Sequence, residues 1–151
     1  MNTIIYNFDG GGGGDGPAGW GWVRSDGLSG CGGLAPGTTS NIAEYTALTM
    51  AVHDAHVLYR EMGQGQFLFR GDSKLVVEQV LGNWRVQSDR LRPYVNHVQM
   101  LLSGLPDWDL SWIPRRENSK ADKMAWEGKT KWKAGQDASA LRHPLNSGWP
   151  E

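Results

Sequence analysis

Residues 3 to 9, Thr3-Ile4-Ile5-Tyr6-Asn7-Phe8-Asp9, run into five consecutive glycines, Gly10 to Gly14, and the fold is read outward from this stretch. An unbroken run of β-branched and aromatic residues predicts a strand, and the glycines predict that it stops at Asp9 in a flexible turn. Residues 19–25 and 28–34 flank Asp26-Gly27, a hairpin signal, so two more strands follow as an antiparallel meander. A helix is expected from Asn41 to Tyr59, capped by Ser40 or Asn41 and closed near Gly63. A strand over Gln66–Arg70, helices over 73–81 and 89–103, a strand over 107–113 and a helix over 118–128 complete the order β-β-β-α-β-α-α-β-α. Strands one, four and five can then lie parallel through helical crossovers, with the hairpin strands on one edge.

The 151 residues are 39% apolar and 21% charged, and no run approaches the roughly 18 apolar residues of a membrane-spanning helix. One soluble domain without a membrane partner is expected. The start, MNTIIYNFDG, lacks the pattern of a secretory signal, and a lone Cys31 cannot form an internal disulfide, so a cytoplasmic monomer is expected. The net charge of −1 supplies no global attraction to phosphate. The balance is uneven, with 4 Lys/Arg against 8 Asp/Glu in residues 1–84 and 11 against 8 in residues 85–151.

Four acids stand where a solvated charge does not belong. With Glu44 set at zero on a helical wheel, Leu48, Ala51, Ala55 and Leu58 all fall within about 40° of it, so Glu44 is centred on the apolar stripe. A carboxylate there needs a hydrogen-bond donor, a cation or a metal. Asp9 and Asp72 each follow a strand at its carboxyl end, where open α/β sheets place their sites, although Asp72 alone could be only a helix cap. Asp122 opens the last helix, with Ala125 and Trp126 on its face. Oxygen ligands without a His or Cys cluster point to hard divalent ions, Mg²⁺ or Mn²⁺. Two such ions together would form the clamp used in phosphoryl displacement.

Tyr6-Asn7-Phe8-Asp9-Gly10, Gly16-Pro17-Ala18-Gly19-Trp20-Gly21, Thr39-Ser40-Asn41-Ile42-Ala43-Glu44-Tyr45, Gly71-Asp72-Ser73-Lys74-Leu75-Val76 and Trp112-Ile113-Pro114-Arg115-Arg116-Glu117-Asn118 through Ala121-Asp122 resemble, in order over about residues 3 to 128, the type 1 ribonuclease H family. The resemblance implies an α/β, ribonuclease H-like fold: a five-stranded mixed sheet, three strands antiparallel and two further strands parallel, with helices on both faces. It implies cleavage of the RNA strand of an RNA–DNA hybrid with two Mg²⁺ ions, for which Mn²⁺ can substitute, leaving 5′-phosphate and 3′-hydroxyl ends. By it, Asp9, Glu44, Asp72 and Asp122 would be the catalytic, metal-binding acids, with Asp9 bridging the ions. Gly10, Gly11, Thr39, Ser40, Asn41, Ser73, Arg115 and Arg116 would contact the hybrid. Residues 1–128 would form the catalytic domain and 129–151 a loosely attached tail.

The chain departs from the family pattern at several points. The loop before Asp122 carries no histidine, where many members have a mobile one, and Arg115 or Arg116 would take its place by holding phosphate. Residues 82–93 form no basic handle, and position 40 is Ser where relatives often carry Asn. The remaining standouts are read as structural: His53, His56 and His97 as surface or packing residues, Trp20, Trp22, Trp108, Trp112 and Trp126 as core, and Trp84 as packing. Lys129, Lys131 and Lys133 read as a solvated face. Three rivals stay open: a catalytically weak hybrid-binding module, a domain derived from a reverse transcriptase, and a nuclease of the same fold acting on DNA.

Overall fold

The computed structural model describes residues 2–132. Strands β1 (Thr3–Gly12), β2 (Ala18–Arg24), β3 (Ser29–Leu34), β4 (Gln66–Gly71) and β5 (Trp108–Trp112) form one sheet in the order β3-β2-β1-β4-β5. The β1–β2 and β2–β3 pairs are antiparallel, and the β1–β4 and β4–β5 pairs are parallel. Helices α1 (Ser40–Met62), α2 (Lys74–Val80), α3 (Arg92–Ser103) and α4 (Ser119–Lys131) complete the element order read from the sequence.

Alternation along β1 and β4 decides which face carries the core. Tyr6 and Phe8, with Phe67 and Phe69, are fully buried and pack in one cluster with Tyr45, Leu48 and Val52 of α1, Val76 of α2 and Val98 and Leu102 of α3. Each such side chain contributes roughly 1.5–3 kcal/mol of burial. The opposite face is built differently. Gly19 and Gly21 of β2 lie against α4 so closely that an added Cβ would come within 2.1 Å of the Ala125 carbonyl oxygen and 2.5 Å of the Met124 Cβ. The early glycines thus form a shallow bed on which α4 lies, and helices cover both faces as the resemblance implies.

Several boundaries differ from the sequence reading. β1 does not stop at Asp9 but continues through Gly10, Gly11 and Gly12, paired with Trp20, Gly19 and Ala18. The glycines serve close approach within the strand, and the turn begins only at Gly13. Thr39 caps α1, its hydroxyl accepting the Ile42 amide hydrogen at 3.2 Å, whereas Ser40 is already helical. Ser88 organises the turn before α3, which delays that helix to Arg92. α4 runs to Lys131, so a helix occupies the first residues assigned to the tail, and positions 133–151 lie outside the described residues. Among the described residues no helix is long and apolar enough to cross a membrane.

Candidate active site

Parallel pairing of β1 with β4 ends at the register Phe8 to Gly71. The next residue on each chain is an aspartate, so the register alone sets Asp9 beside Asp72. Glu44 reaches the same point from α1, one turn beyond the Thr39 cap. Its approach depends on Gly10, where a Cβ would stand 2.2 Å from the Ala43 carbonyl carbon. In that close contact the Gly10 amide donates to Glu44 Oε1 at 2.8 Å. One carboxylate oxygen from each of Asp9, Glu44 and Asp72 can be chosen so that all three lie within 4.8 Å of one another. Asp122 lies outside that trio, exposed on the first turn of α4, and its presence pushes the Asp9 carboxyl upward.

The electrostatics of this cluster are unfavourable as they stand. Asp9 and Glu44 are each only 6% exposed. Burial, reinforced by the charges of Asp72 and Asp122, pushes Asp9 up to about 6 although its bond with Glu44 pulls the other way. Burial, with the neighbouring Asp9, pushes Glu44 well above the usual carboxylate range. Glu44 Oε2 is buried with no hydrogen-bond partner. A buried carboxylate with one unpartnered oxygen, beside two more acids, is the environment a divalent cation would relieve.

Two residues fix the less buried acid. Ser73, not Asp72, caps α2 by accepting from the Val76 amide at 3.3 Å, so the Asp72 carboxylate is not held by the helix end. Instead Asn118 Nδ2 donates to Asp72 Oδ2 and to the Phe8 carbonyl, both at 2.9 Å. Trp112 Nε1 also donates to the Asp72 carbonyl at 3.1 Å. The sequence reading missed this role for Asn118, which sits before α4 where it reads as a cap but makes no side-chain cap bond.

The residues expected to contact nucleic acid differ in exposure. Ser40, Arg115 and Arg116 are exposed, with both arginines in a short 3₁₀ turn over 115–117 that leads into Asn118. Asn41, Thr39 and Ser73 are half-buried, and the hydroxyls of the last two already serve as helix caps. Gly11 lines a cavity together with Asp122. Gly10 is buried and its amide donates to Glu44. Trp112, Trp84 and Trp126 correct the sequence reading, exposed by 42%, 45% and 62% where packing was expected. His53, His56 and His97 are half-buried, and His56 Nε2 lies 2.6 Å from the Leu101 carbonyl of α3, a packing contact.

Residues 7–128 match the family described as reverse transcriptase-like. The chain is 38% identical over 125 residues to ribonuclease HI of Halobacterium salinarum, covering 80% of this chain and 61% of that protein. It is 33% identical to a bifunctional protein of Mycobacterium tuberculosis, covering 99% of this chain and 43% of that one. The chain therefore spans about half the length of these relatives. The crystal structure of RNase H1 from Halobacterium salinarum superposes with a TM-score of 0.75 at 33% identity, covering 87% of this chain and all of that one. LC11-RNase H1, solved in complex with an RNA/DNA hybrid, superposes with a TM-score of 0.77 at 29% identity over 85% of this chain and 98% of that one.

Proposed function

Because this chain belongs to the type 1 ribonuclease H family, we propose that it is a metal-dependent endoribonuclease that hydrolyses the RNA strand of RNA–DNA hybrids to 5′-phosphate and 3′-hydroxyl ends. The carrying observation is the trio Asp9, Glu44 and Asp72 within 4.8 Å, with Glu44 Oε2 buried and unpartnered. Oxygen ligands of this kind suit two Mg²⁺ ions, or Mn²⁺ in their place, and Asp9, Glu44, Asp72 and Asp122 would hold them. Bound there, the ions supply a water of lowered pKa and neutralise charge on the leaving oxygen.

The chain's own residues do the positioning. The Gly10 amide holds one oxygen of Glu44 and leaves the other free for a cation. Asn118 holds Asp72 against the Phe8 backbone. Ser40 and Asn41, at the start of the helix that carries Glu44, would meet the 2′-hydroxyl that distinguishes RNA. Arg115 and Arg116 take phosphate in the turn before Asn118. The test is a parallel assay of labelled RNA–DNA hybrid, double-stranded DNA, double-stranded RNA and single strands, with and without EDTA. Cleavage confined to the hybrid and abolished by EDTA is expected. Cleavage of double-stranded DNA, or binding without cleavage, would replace this reading with one of its rivals.

A further inference from the structure

α4 buries Ala121, Ala125 and Gly128 against the sheet, so its packing face is made of its smallest side chains. Trp126 is left 62% exposed, and the Lys129 ammonium sits over its ring at 5.2 Å. An exposed tryptophan on a helix that packs through Ala and Gly contributes little to the core, so its surface is open to another use. Trp126 follows Asp122 by one helical turn, which sets both on one side of α4. The two line a single cavity of about 460 Å³ with Lys123, Lys129, Gly11 and Gly12. That volume lies within the usual range for a ligand-sized site.

From this arrangement we infer that Trp126 and Lys129 form a backbone platform beside the acid cluster, where the cleaved strand of the duplex packs a ribose on the indole and sets a phosphate against the ammonium. The inference rests on the function proposed above. Asp122 fixes the strand: it faces Asp9 on one side and lines this cavity on the other, so the strand whose phosphate meets the acids is the one that continues into the cavity. Ribose and phosphate recur at every step of the strand, so the platform adds affinity without sequence preference. It also supplies cations to a chain whose net charge gives none.

Steady-state cleavage of a labelled hybrid with Mg²⁺ tests the platform in the full chain. Trp126→Ala should raise KM several-fold through the lost ribose contact, and Trp126→Phe should recover most of that loss. Lys129→Ala should reduce the slope of log(kcat/KM) against log salt by about one. The melting temperature of Trp126→Ala should stay close to wild type, since the indole lies off the packed face. A Trp126→Ala KM within twofold of wild type, or a Trp126→Phe variant as weak as Trp126→Ala, would overturn the platform alone. A wild-type chain that fails to cleave the hybrid would overturn the proposed function, and the platform with it.

Discussion

Asn118 ties the carboxylate of Asp72 to the backbone of Phe8, donating from one side-chain nitrogen to both at 2.9 Å. Fully buried, it joins the turn before α4 to the ends of β1 and β4, so the segment that delivers Asp122 also orients Asp72. Asn118→Ala would leave two acceptors without their donor. A stability loss of about 2 kcal/mol by urea titration is expected. Activity should fall on the order of tenfold to a hundredfold, as for other residues that orient metal ligands. Asn118→Asp should be worse than Ala in both measurements, because it adds a carboxylate beside three others.

Gly10 and Gly11 are adjacent in β1 yet should respond oppositely to one methyl group. At Gly10 a Cβ collides with the backbone of Ala43 and Glu44, whereas at Gly11 nothing lies within 4 Å of it. Gly10→Ala should cost about 3 kcal/mol in chemical denaturation through overpacking and displacement of Glu44. Gly11→Ala should change stability by less than about 0.5 kcal/mol.

The raised carboxyls make an unusual pH dependence. Asp9 goes from 3.8 to about 6, and Glu44 also moves upward, so between those values the folded chain holds protons that the unfolded chain has released. The Asp9 contribution to stability is therefore full below about pH 4 and is lost as pH rises through about 6, and Glu44 acts in the same direction. Thermal melts in EDTA should show this loss, and added Mg²⁺ at pH 7.5 should reverse it by binding the ionised acids of the folded state. A melting temperature indifferent to Mg²⁺ at pH 7.5 would remove the metal assignment.

Arg115 and Arg116 are exposed and make no ion pair with another described residue. Changing both to Ala should leave the melting temperature unchanged while raising KM for the hybrid several-fold through lost phosphate contacts. Unaltered steady-state kinetics would show that these residues do not replace the histidine missing from this loop.

Much of this was legible in the sequence because local and tertiary demands agree there. Glu44 stood out because a charge at the centre of an apolar stripe has no local explanation, and it is indeed buried. The order of elements followed from strand-forming runs broken by glycine and by caps. What could not be read was set by contacts between distant segments. Five glycines in a row look like a turn, yet three of them stay in β1, because α1 must come within reach of Gly10 and β2 supplies partners. Asn118 looks like a helix cap, and its true partners are 46 and 110 residues away in sequence. Trp126 looks like core because it shares a helical side with Asp122, but that side borders a cavity.

Asp9 is the acid on which the account turns, since it contacts Glu44 and lies beside both Asp72 and Asp122. The most direct measurement is cleavage of the labelled RNA strand of a hybrid by wild type and by Asp9→Asn under saturating Mg²⁺, with both melts recorded. Wild type should cleave, and Asp9→Asn should lose at least about a thousandfold in kcat while remaining folded, as expected when a group acting only on the transition state is removed. Turnover by a folded Asp9→Asn variant within a few-fold of wild type would contradict the assignment of this acid cluster as the catalytic centre.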